Sequence, residues 1–309
     1  MALLTTRLDD QTYNLFLRDL EYREARALQV EYPELKAATG KLFPIETIDA
    51  PWAETTRYTI QDIVGDEFEL ASDSSTNYSL VGITGKEVIQ RTYQFRKGYE
   101  IDNREILRFS APKVNIPIED NKIKALNHLY QQTLHKLVLY GNDLVGMPGW
   151  LNHPAFLRMA APYPLDTTSS TSQLIATLSA GGEAMWAATK ETYLPNTLLL
   201  PPRKFKYLTE QTRLDNSSTD TTVLQFFLRN NMSVRNIDWL SELEGAGPNG
   251  EDMAIFYTRN PDHVKCQITD PMRMLPYVRK EFSVVRPSSF NYGGIVAYRP
   301  FTVLLMIGV

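Results

Sequence analysis

Cys266 is the residue with the clearest chemical potential, because it is the single cysteine of the chain and His263 precedes it by three residues. A histidine beside a cysteine can remove the thiol proton and produce a nucleophile. However, residues 263–269 (HVKCQIT) alternate between polar and apolar side chains, as β-strands do, and no nucleophile turn surrounds Cys266. A free cysteine is most often a small buried hydrophobic residue. We therefore predict a structural cysteine, and a lone cysteine excludes an intrachain disulfide.

Two histidines, His128 and His135, are seven residues apart, so a helix would place them on nearly the same face. A structural zinc site needs four ligands, and a catalytic zinc site usually has three protein ligands. The sequence contains neither an HExxH nor a CxxC motif that would complete such a set. We predict two histidines on the flank of a helix and no metal site.

The sequence also gives no indication of a phosphate-binding loop or of an acid–base pair. Gly141, Gly146 and Gly149 have the spacing GxxxxGxxG, but the lysine and serine or threonine that follow a phosphate loop are missing. Many acidic residues are present, and none stands out as a partner in a general acid and base pair. We therefore predict no catalytic, cofactor-binding or metal-binding residues, and no cofactor.

A group of basic residues in the C-terminal third is the remaining candidate set. A basic face of this kind can contact the phosphates of DNA. More often such residues form a solvated surface or salt bridges between subunits, and we favour that interpretation. The residues are Arg273, Arg279, Lys280, Arg286 and Arg299.

The composition is that of a folded protein without a strong charge bias. The 309 residues are enough for two ordinary domains or for one domain with long excursions. Hydrophobic residues make up 43% and charged residues 22%, and these values exclude a disordered chain. The net charge of -4 argues against a dedicated nucleic-acid binder. No signal-peptide layout is present and the apolar stretches are too short for a bilayer, so we expect a cytosolic product without a membrane partner.

The clearest element is a helix over residues 118–140. Glu119 and Asp120 place negative charge at its N-terminus, Pro117 lies just outside it, and Gly141 supplies a stop. At 1.5 Å per residue this helix would be roughly 35 Å long, which suits a spine on which other elements pack. Apolar side chains recur every three or four residues along one face, at Ile123, Leu126, Tyr130, Leu134, Leu137 and Val138.

Shorter elements are predicted on both sides of this spine. Gly181 and Gly182 weaken one of the helices, since each glycine costs about 1 kcal/mol relative to alanine. The predicted helices lie within residues 10–30 and at 171–192, 203–208 and 221–230. The other predictions are a buried strand ended by prolines at 196–202, a polar loop at 212–220, strands from 234 onward and a strand-rich C-terminus at 294–306.

A two-stranded excursion is predicted between the N-terminal segment and the spine. Residues 57–61 and 91–96 alternate between polar and apolar side chains, and the small polar residues 71–77 between them look like a loop tip. A single two-stranded hairpin is marginally stable in water and needs a partner surface. The sequence shows no such surface within one chain.

The order of these elements resembles that of the major capsid proteins of tailed bacteriophages, which have the Hong Kong ninety-seven type of fold. Both have an N-terminal arm, a long two-stranded excursion, a spine helix, a mixed helix–strand region and a returning C-terminal strand. The resemblance covers nearly the whole chain. The motifs that carry it are residues 20–22 (LEY), 32–36 (YPELK), 43–45 (FPI), 98–101 (GYEI), 104–107 (REIL), 149–154 (GWLNHP), 197–202 (TLLLPP) and 293–300 (GGIVAYRP).

This resemblance implies an α+β protein with the capsid fold and its usual division. The arm and the extension loop would lie on neighbouring subunits, which would explain why one chain shows no partner for them. The implied regions are an N-terminal arm at 1–48, an extension loop (a β-hairpin) at 49–110, a peripheral domain with the spine helix at 111–165 together with a return strand at 285–309, and an axial domain at 166–284.

The resemblance also implies a structural function and no enzymatic one. Such a chain self-assembles into homo-pentamers and homo-hexamers of an icosahedral head, which encloses double-stranded DNA with weak non-specific contact. Portal, scaffolding and decoration proteins are the implied partners, and the virion, assembled in the cytoplasm of the bacterial host, is the implied location. Some family members cross-link a lysine to an asparagine. Lys86, Lys97 and Asn291 lie in the corresponding regions, but no motif marks a match and we predict no cross-link.

Two alternatives remain open at this stage. An encapsulin-like nanocompartment would have the same fold and would enclose an enzyme in place of a genome. A soluble α+β enzyme would assemble its site from residues far apart in the sequence. A stable monomer with a deep, polar-lined pocket would favour the enzyme.

Overall fold

The computed structural model of the protein describes residues 34–48, 50–65, 80–105, 118–211 and 221–309. The predicted helix within residues 10–30, the loop tip at 71–77 and the polar loop at 212–220 lie outside these residues. Within them, the α-helices are α1 (Ile118–Tyr140), α2 (Thr171–Ala188), α3 (Pro202–Glu210) and α4 (Val223–Asn230). The β-strands are β1 (Ile45–Thr47), β2 (Thr55–Val64), β3 (Gly82–Arg91), β4 (Tyr93–Asp102), β5 (Gly141–Asn142), β6 (Met147–Pro148), β7 (Leu157–Ala160), β8 (Thr197–Leu200), β9 (Asn236–Trp239), β10 (Met253–Tyr257), β11 (Val264–Met274), β12 (Val278–Arg279), β13 (Ser283–Ala297) and β14 (Val303–Ile307).

The helices agree with the sequence pattern except at their ends. The predicted spine is confirmed as α1, with Glu119 and Asp120 in its first turn. The helix α2 ends at Ala188, earlier than predicted, because Lys190 and Glu191 adopt positive φ angles of 49° and 63° that a helix cannot contain. No helix among the described residues is long and apolar enough to cross a membrane.

The segment that follows α1 returns to cap its C-terminus. The last carbonyls of a helix lack partners within the helix. Here the backbone N–H of Trp150 donates to Val138 O at 2.9 Å, and that of Leu151 donates to Leu139 O at 3.0 Å. Asn152 completes the cap, since its side-chain amide donates to Tyr140 O at 2.9 Å. The stretch at 149–154 therefore serves the spine helix as a cap.

Two glycines make this return possible. Gly141 has a φ of 71°, and a Cβ added to it would lie 2.0 Å from Met147 O. A Cβ on Gly149 would lie 2.2 Å from Leu139 O. Gly146 also has a positive φ, of 66°, but no atom lies within 4 Å of where its Cβ would be. The spacing of Gly141, Gly146 and Gly149 therefore does not mark a phosphate-binding loop. It reflects the tight turn by which the chain returns from the end of α1 to β6 and the cap.

The first sheet has the long strand β13 at its centre. One edge of β13 pairs with β11 and β12, its other edge pairs with β4, and β1 adds to β11 in parallel. The helix α1 packs against one face, where the ring of Tyr130 lies 4.9 Å from that of Phe290. The strand β11, which falls within residues 166–284, therefore belongs to the same sheet as β13.

The second sheet has the order β7-β14-β10-β8-β9, and its central strands β14, β10 and β8 are buried on both faces. Leu198, Leu200 and Phe256 pack with the helices α2 to α4, whereas Leu199 and Tyr257 face the core that includes α1. This burial explains the uninterrupted apolar runs of β8 and β10, and it confirms the predicted buried strand at 196–202. The strand β14, within residues 285–309, belongs to this second sheet.

Gly181 lies where α2 crosses β10. A Cβ at this position would lie 2.4 Å from the ring of Phe256. The glycine lowers the helix propensity of α2, but it permits close packing of the helix on the sheet. The weak point predicted in this helix is thus a packing position.

Residues 35–48 belong to the core of the chain itself. Ala37, Leu42 and Phe43 are buried, and the Phe43 ring stacks on that of Trp150 at 4.2 Å. The strand β1 then pairs in parallel with β11, with Ile45 opposite Cys266. The expectation that all of residues 1–48 find their partner surface on neighbouring subunits is therefore wrong for residues 35–48.

The predicted hairpin exists, but its second strand differs from the prediction. The strand β2 pairs with β3, from Thr55 opposite Arg91 to Val64 opposite Gly82. Residues 93–96, which the alternation assigned to the hairpin, begin β4 in the first sheet. Thr92 separates the two strands, and its backbone N–H donates to Glu54 O at 2.8 Å at the base of the hairpin.

Candidate interaction surfaces

The hairpin β2–β3 has one face turned toward the body of the chain and one face turned to solvent. Tyr58 and Gln90 lie on the inner face and are half-buried. The Tyr58 ring meets Tyr298 edge to face, with centroids 5.2 Å apart, and burial raises the pKa of the Tyr58 hydroxyl. Glu87 and Ile89 are on the opposite, exposed face. The base of the hairpin therefore has a partner within the chain.

The distal end of the hairpin exposes a group of large apolar side chains, which we call the hairpin patch. It consists of Ile63, Val64, Leu80, Val81 and Ile83. Ile63 and Ile83 lie directly opposite each other in the strand ladder. The exposed fraction is 80% for Leu80 and 73% for Ile83. Val64 follows Ile63 in the strand and so points to the other face, which means that apolar side chains are exposed on both faces at this end. Large exposed apolar regions of this kind are typical of protein–protein contacts.

A second exposed apolar region lies at one end of the first sheet. It includes Leu275, Tyr277 and Val278 around β12, and Phe282 just before β13, with 76% of Phe282 exposed. The N-terminus of α1 is tied to this end, because the carboxylate of Glu119 accepts hydrogen bonds from the Tyr277 hydroxyl and, at 3.2 Å, from Arg286. Bonding to Glu119 raises the pKa of Tyr277 to about 12. The spine helix and this apolar end therefore form one connected unit.

Ion pairs within the chain involve most of the basic residues singled out from the sequence. Arg273 Nε lies 2.6 Å from Asp270, Lys280 Nζ lies 3.4 Å from Glu100, and Arg286 contacts Glu119. The guanidinium of Arg299 lies beside His263, at 3.1 Å, and 5.1 Å from the centre of the Tyr193 ring. Arg279 is exposed. Carboxylates of the chain thus compensate the charge of Arg273, Lys280 and Arg286, whereas the contacts of Arg299 with His263 and Tyr193 supply no negative charge.

His135 lies on the helix α1, as predicted, and its side chain is buried there. It is 6% exposed, and its Nε2 lies 2.6 Å from Glu242 Oε1 in the turn Ser241–Leu243. The hydrogen bond to His135 lowers the pKa of Glu242, and a 3.0 Å bond from Ser241 adds to this. The two residues are 107 positions apart, so the sequence carried no local signal for the pair. Among the described residues no cluster of histidine, cysteine and carboxylate side chains could hold a metal ion.

We expect Glu242→Gln to destabilise the protein by about 1–3 kcal/mol at neutral pH, because a buried hydrogen bond to a charged group is lost. The folded-state pKa of Glu242 is below its ordinary value, so its contribution is present above about pH 4.5 and is lost as the pH falls through the folded-state pKa. The difference in unfolding free energy between wild type and variant should therefore shrink below about pH 4.5. Urea unfolding at several pH values measures it, and a difference that does not change with pH would contradict the role of the carboxylate.

Cys266 is a buried structural residue, as predicted. It is 0% exposed in β11, and the indole N–H of Trp150 donates to its sulfur at 3.1 Å. Burial raises the pKa of the thiol to about 12. His263 packs instead against Tyr193, with ring centroids 4.8 Å apart. The thiolate needed for nucleophilic catalysis is therefore disfavoured.

We predict that the native protein resists alkylation at Cys266. The thiolate is the reactive species, and both burial and the raised pKa suppress it. Iodoacetamide at neutral pH should leave the folded chain unlabelled and should add one label per chain in denaturant, as read by intact-mass spectrometry. Rapid labelling of the folded chain would contradict this assignment.

Comparison with known proteins identifies the fold and the family. The sequence model of the family described as "Major capsid protein" matches residues 68–309. No curated protein matches the sequence. The capsid of Myoviridae phage XM1 is similar in structure, with a TM-score of 0.79, 15% identity and coverage of 94% of this chain and 98% of that chain.

Two further structures show the same fold at low sequence identity. For Mycobacterium phage Adephagia the TM-score is 0.60 at 11% identity, covering 94% of this chain and 96% of that chain. For the virus-like particle from Pyrococcus furiosus it is 0.50 at 11% identity, covering 88% and 95%. The predicted α+β capsid fold of the Hong Kong ninety-seven type is thereby confirmed. Since the family model spans well over half of the sequence, this chain belongs to the major capsid protein family.

Proposed function

We propose that this major capsid protein assembles into pentamers and hexamers of an icosahedral head and encloses double-stranded DNA without enzymatic activity. The observation that carries the proposal is the hairpin patch, whose apolar side chains project from a two-stranded element at its distal end. The base of the hairpin packs on the chain itself, but its distal end exposes large apolar side chains that a further surface would cover. A neighbouring copy of the chain supplies that surface in a closed shell.

The charge distribution supports weak contact with the packaged DNA. The chain is acidic overall, with a net charge of -4, and Arg273, Lys280 and Arg286 are paired with carboxylates of the chain itself. A strongly basic wall would bind phosphates tightly and would resist packaging. We propose that the head is assembled in the cytoplasm of a bacterial host, with portal and scaffolding proteins as partners and with decoration proteins as a further class.

We propose a division of the chain that follows the two sheets. Residues 49–91 form the extension loop, and the peripheral domain combines α1 with the first sheet, from β1, β4, β11, β12 and β13. The axial domain combines the second sheet with α2 to α4. The pairing of β11 with β13 and of β14 with β10 supports these boundaries in place of 166–284 and 285–309.

Electron microscopy of the purified chain, expressed alone and together with neighbouring phage genes, tests the assembly. Closed icosahedral shells, or isolated pentamers and hexamers, are expected. A monodisperse monomer under all conditions would contradict the proposal and would favour a soluble enzyme.

A nanocompartment shell is the second candidate, and the structural likeness to a virus-like particle from Pyrococcus furiosus favours keeping it. The contents of purified particles distinguish the two functions. Double-stranded DNA inside particles made in the presence of the packaging genes supports a phage head. A single co-purified enzyme, with no DNA under any condition, would support the nanocompartment.

A further inference from the structure

A groove with a volume of about 500 Å³ lies along the edge of the second sheet. The proposed contact between subunits, through the hairpin patch, does not involve its lining residues. The edge strand β9, the helices α3 and α4, and the buried segment 35–48 surround the groove. Its floor is apolar and includes Phe205, Leu228 and Ile237. The groove is open to solvent on one side, so the side chains of an approaching segment can reach its floor.

The rim of the groove is positively charged although the chain as a whole is acidic. Two arginine side chains, those of Arg235 and Arg259, line it together with one carboxylate, Asp238. Lys36 Nζ lies 2.5 Å from Asp238 Oδ1 and neutralises that carboxylate. The groove therefore presents a net positive potential beside an apolar floor, in a chain whose net charge is -4.

Contacts with the segment 35–48 hold the rim in place. The Arg259 guanidinium donates to Gly40 O at 3.0 Å, which orients that side chain at the groove. At the end of β9, Lys36 Nζ lies 3.7 Å from the centre of the Trp239 ring and donates to Trp239 O at 3.2 Å. Because the hydrogen bond to Gly40 O orients Arg259 before binding, less conformational entropy would be lost at that side chain.

We infer that this groove binds an acidic peptide segment of a separate partner protein, with apolar side chains on the floor and carboxylates at the rim. Charge complementarity selects an anionic occupant. The apolar floor favours a peptide over DNA, because a phosphate backbone offers nothing to cover Phe205, Leu228 and Ile237. This goes beyond the proposed assembly, since the occupant is not another copy of the shell protein.

The test measures binding of a fluorescein-labelled short peptide that alternates leucine and glutamate to the purified full-length chain, by fluorescence anisotropy. We expect saturable binding that weakens as salt is raised, and no binding of the matched peptide with lysine in place of glutamate. Arg235→Glu should weaken binding by about tenfold or more, and Arg235→Lys should restore most of it. Arg279→Glu, a charge reversal at an exposed arginine of β12, should bind as the wild type does.

Three results would overturn the inference. One is equal binding of the glutamate and lysine peptides. Another is competition by single-stranded DNA at the same site, which would show a nucleic-acid groove. The last is loss of shells in Arg235→Glu under electron microscopy, which would assign the groove to contacts between copies. Shells that form normally while peptide binding is lost support the inference, whereas a wild-type chain that forms no shells contradicts only the proposed assembly.

Discussion

Replacing Ile83 with aspartate is expected to abolish shell assembly while the chain remains folded. The side chain is 73% exposed, so the unfolding free energy of the unassembled chain should change by no more than about 1 kcal/mol. In a shell the same side chain would be covered, and burial of an unpaired carboxylate in an apolar contact is strongly unfavourable. Electron microscopy and sedimentation of purified Ile83→Asp measure the loss of particles, and circular dichroism confirms the fold.

Gln61→Asp is the matched control for this experiment. Gln61 lies on the same exposed face of the hairpin, two residues from Ile63, and the substitution adds the same charge. It is not part of the hairpin patch, so shells should still form. If Ile83→Asp formed shells of normal number and diameter, the hairpin patch would not be part of the assembly interface. Loss of shells in both variants would assign the effect to charge on the hairpin.

Replacing Gly149 with alanine is expected to destabilise the chain by about 4 kcal/mol or more, at the upper end of single-substitution effects. A Cβ at this position would lie 2.2 Å from Leu139 O and 2.5 Å from Gly141 N. Both neighbours are backbone atoms at the capped end of α1, so relief would require the loss of the bonds from Trp150 and Leu151 to the helix. Urea unfolding of the unassembled chain, or its soluble yield, measures the effect.

The variant Gly146→Ala is the comparison that distinguishes the effect of a steric clash from the effect of backbone strain. Gly146 has a φ of 66° but open space around it, so alanine should cost only about 1–2 kcal/mol. Gly149 has no positive φ, so a loss in Gly149→Ala no larger than that in Gly146→Ala would contradict the close approach to the helix end.

The parts of the fold that could be predicted from sequence are those that local spacing determines. The helix α1 follows from the three-and-four spacing of Leu126, Leu134 and Leu137, and from a glycine at its end. The strand β8 follows from an apolar run between a polar residue and two prolines. In both cases the residues that decide the element lie within the element itself or directly beside it.

The parts that could not be predicted depend on contacts between distant residues. Alternation continues on both sides of Thr92, so it indicates two strands but not which of them pairs with β2. Register depends on cross-strand neighbours that the local period does not identify. The pairing of His135 with Glu242 and the burial of Phe43 on Trp150 are of the same kind. The hairpin patch could not be predicted for the same reason. Leu80, Val81 and Ile83 are recognised as neighbours of Ile63 and Val64 only once β3 is known to pair with β2.

The burial of segment 35–48 has a consequence for the order of events during synthesis. The hydroxyl of Tyr257 donates to Leu42 O across 215 positions, and β1 pairs with residues as far along as Ile268. At about 5–20 residues per second, a ribosome needs roughly 10–40 s to make the intervening chain. Phe43 lacks its ring partner Trp150 for the first part of that interval, and the strand partner of β1 and the bond from Tyr257 are missing until its end. Long-range closure of this kind is intrinsically slow. The nascent protein therefore exposes an early apolar segment until most of its length has left the ribosome, which makes it a substrate for chaperones before it becomes a building block.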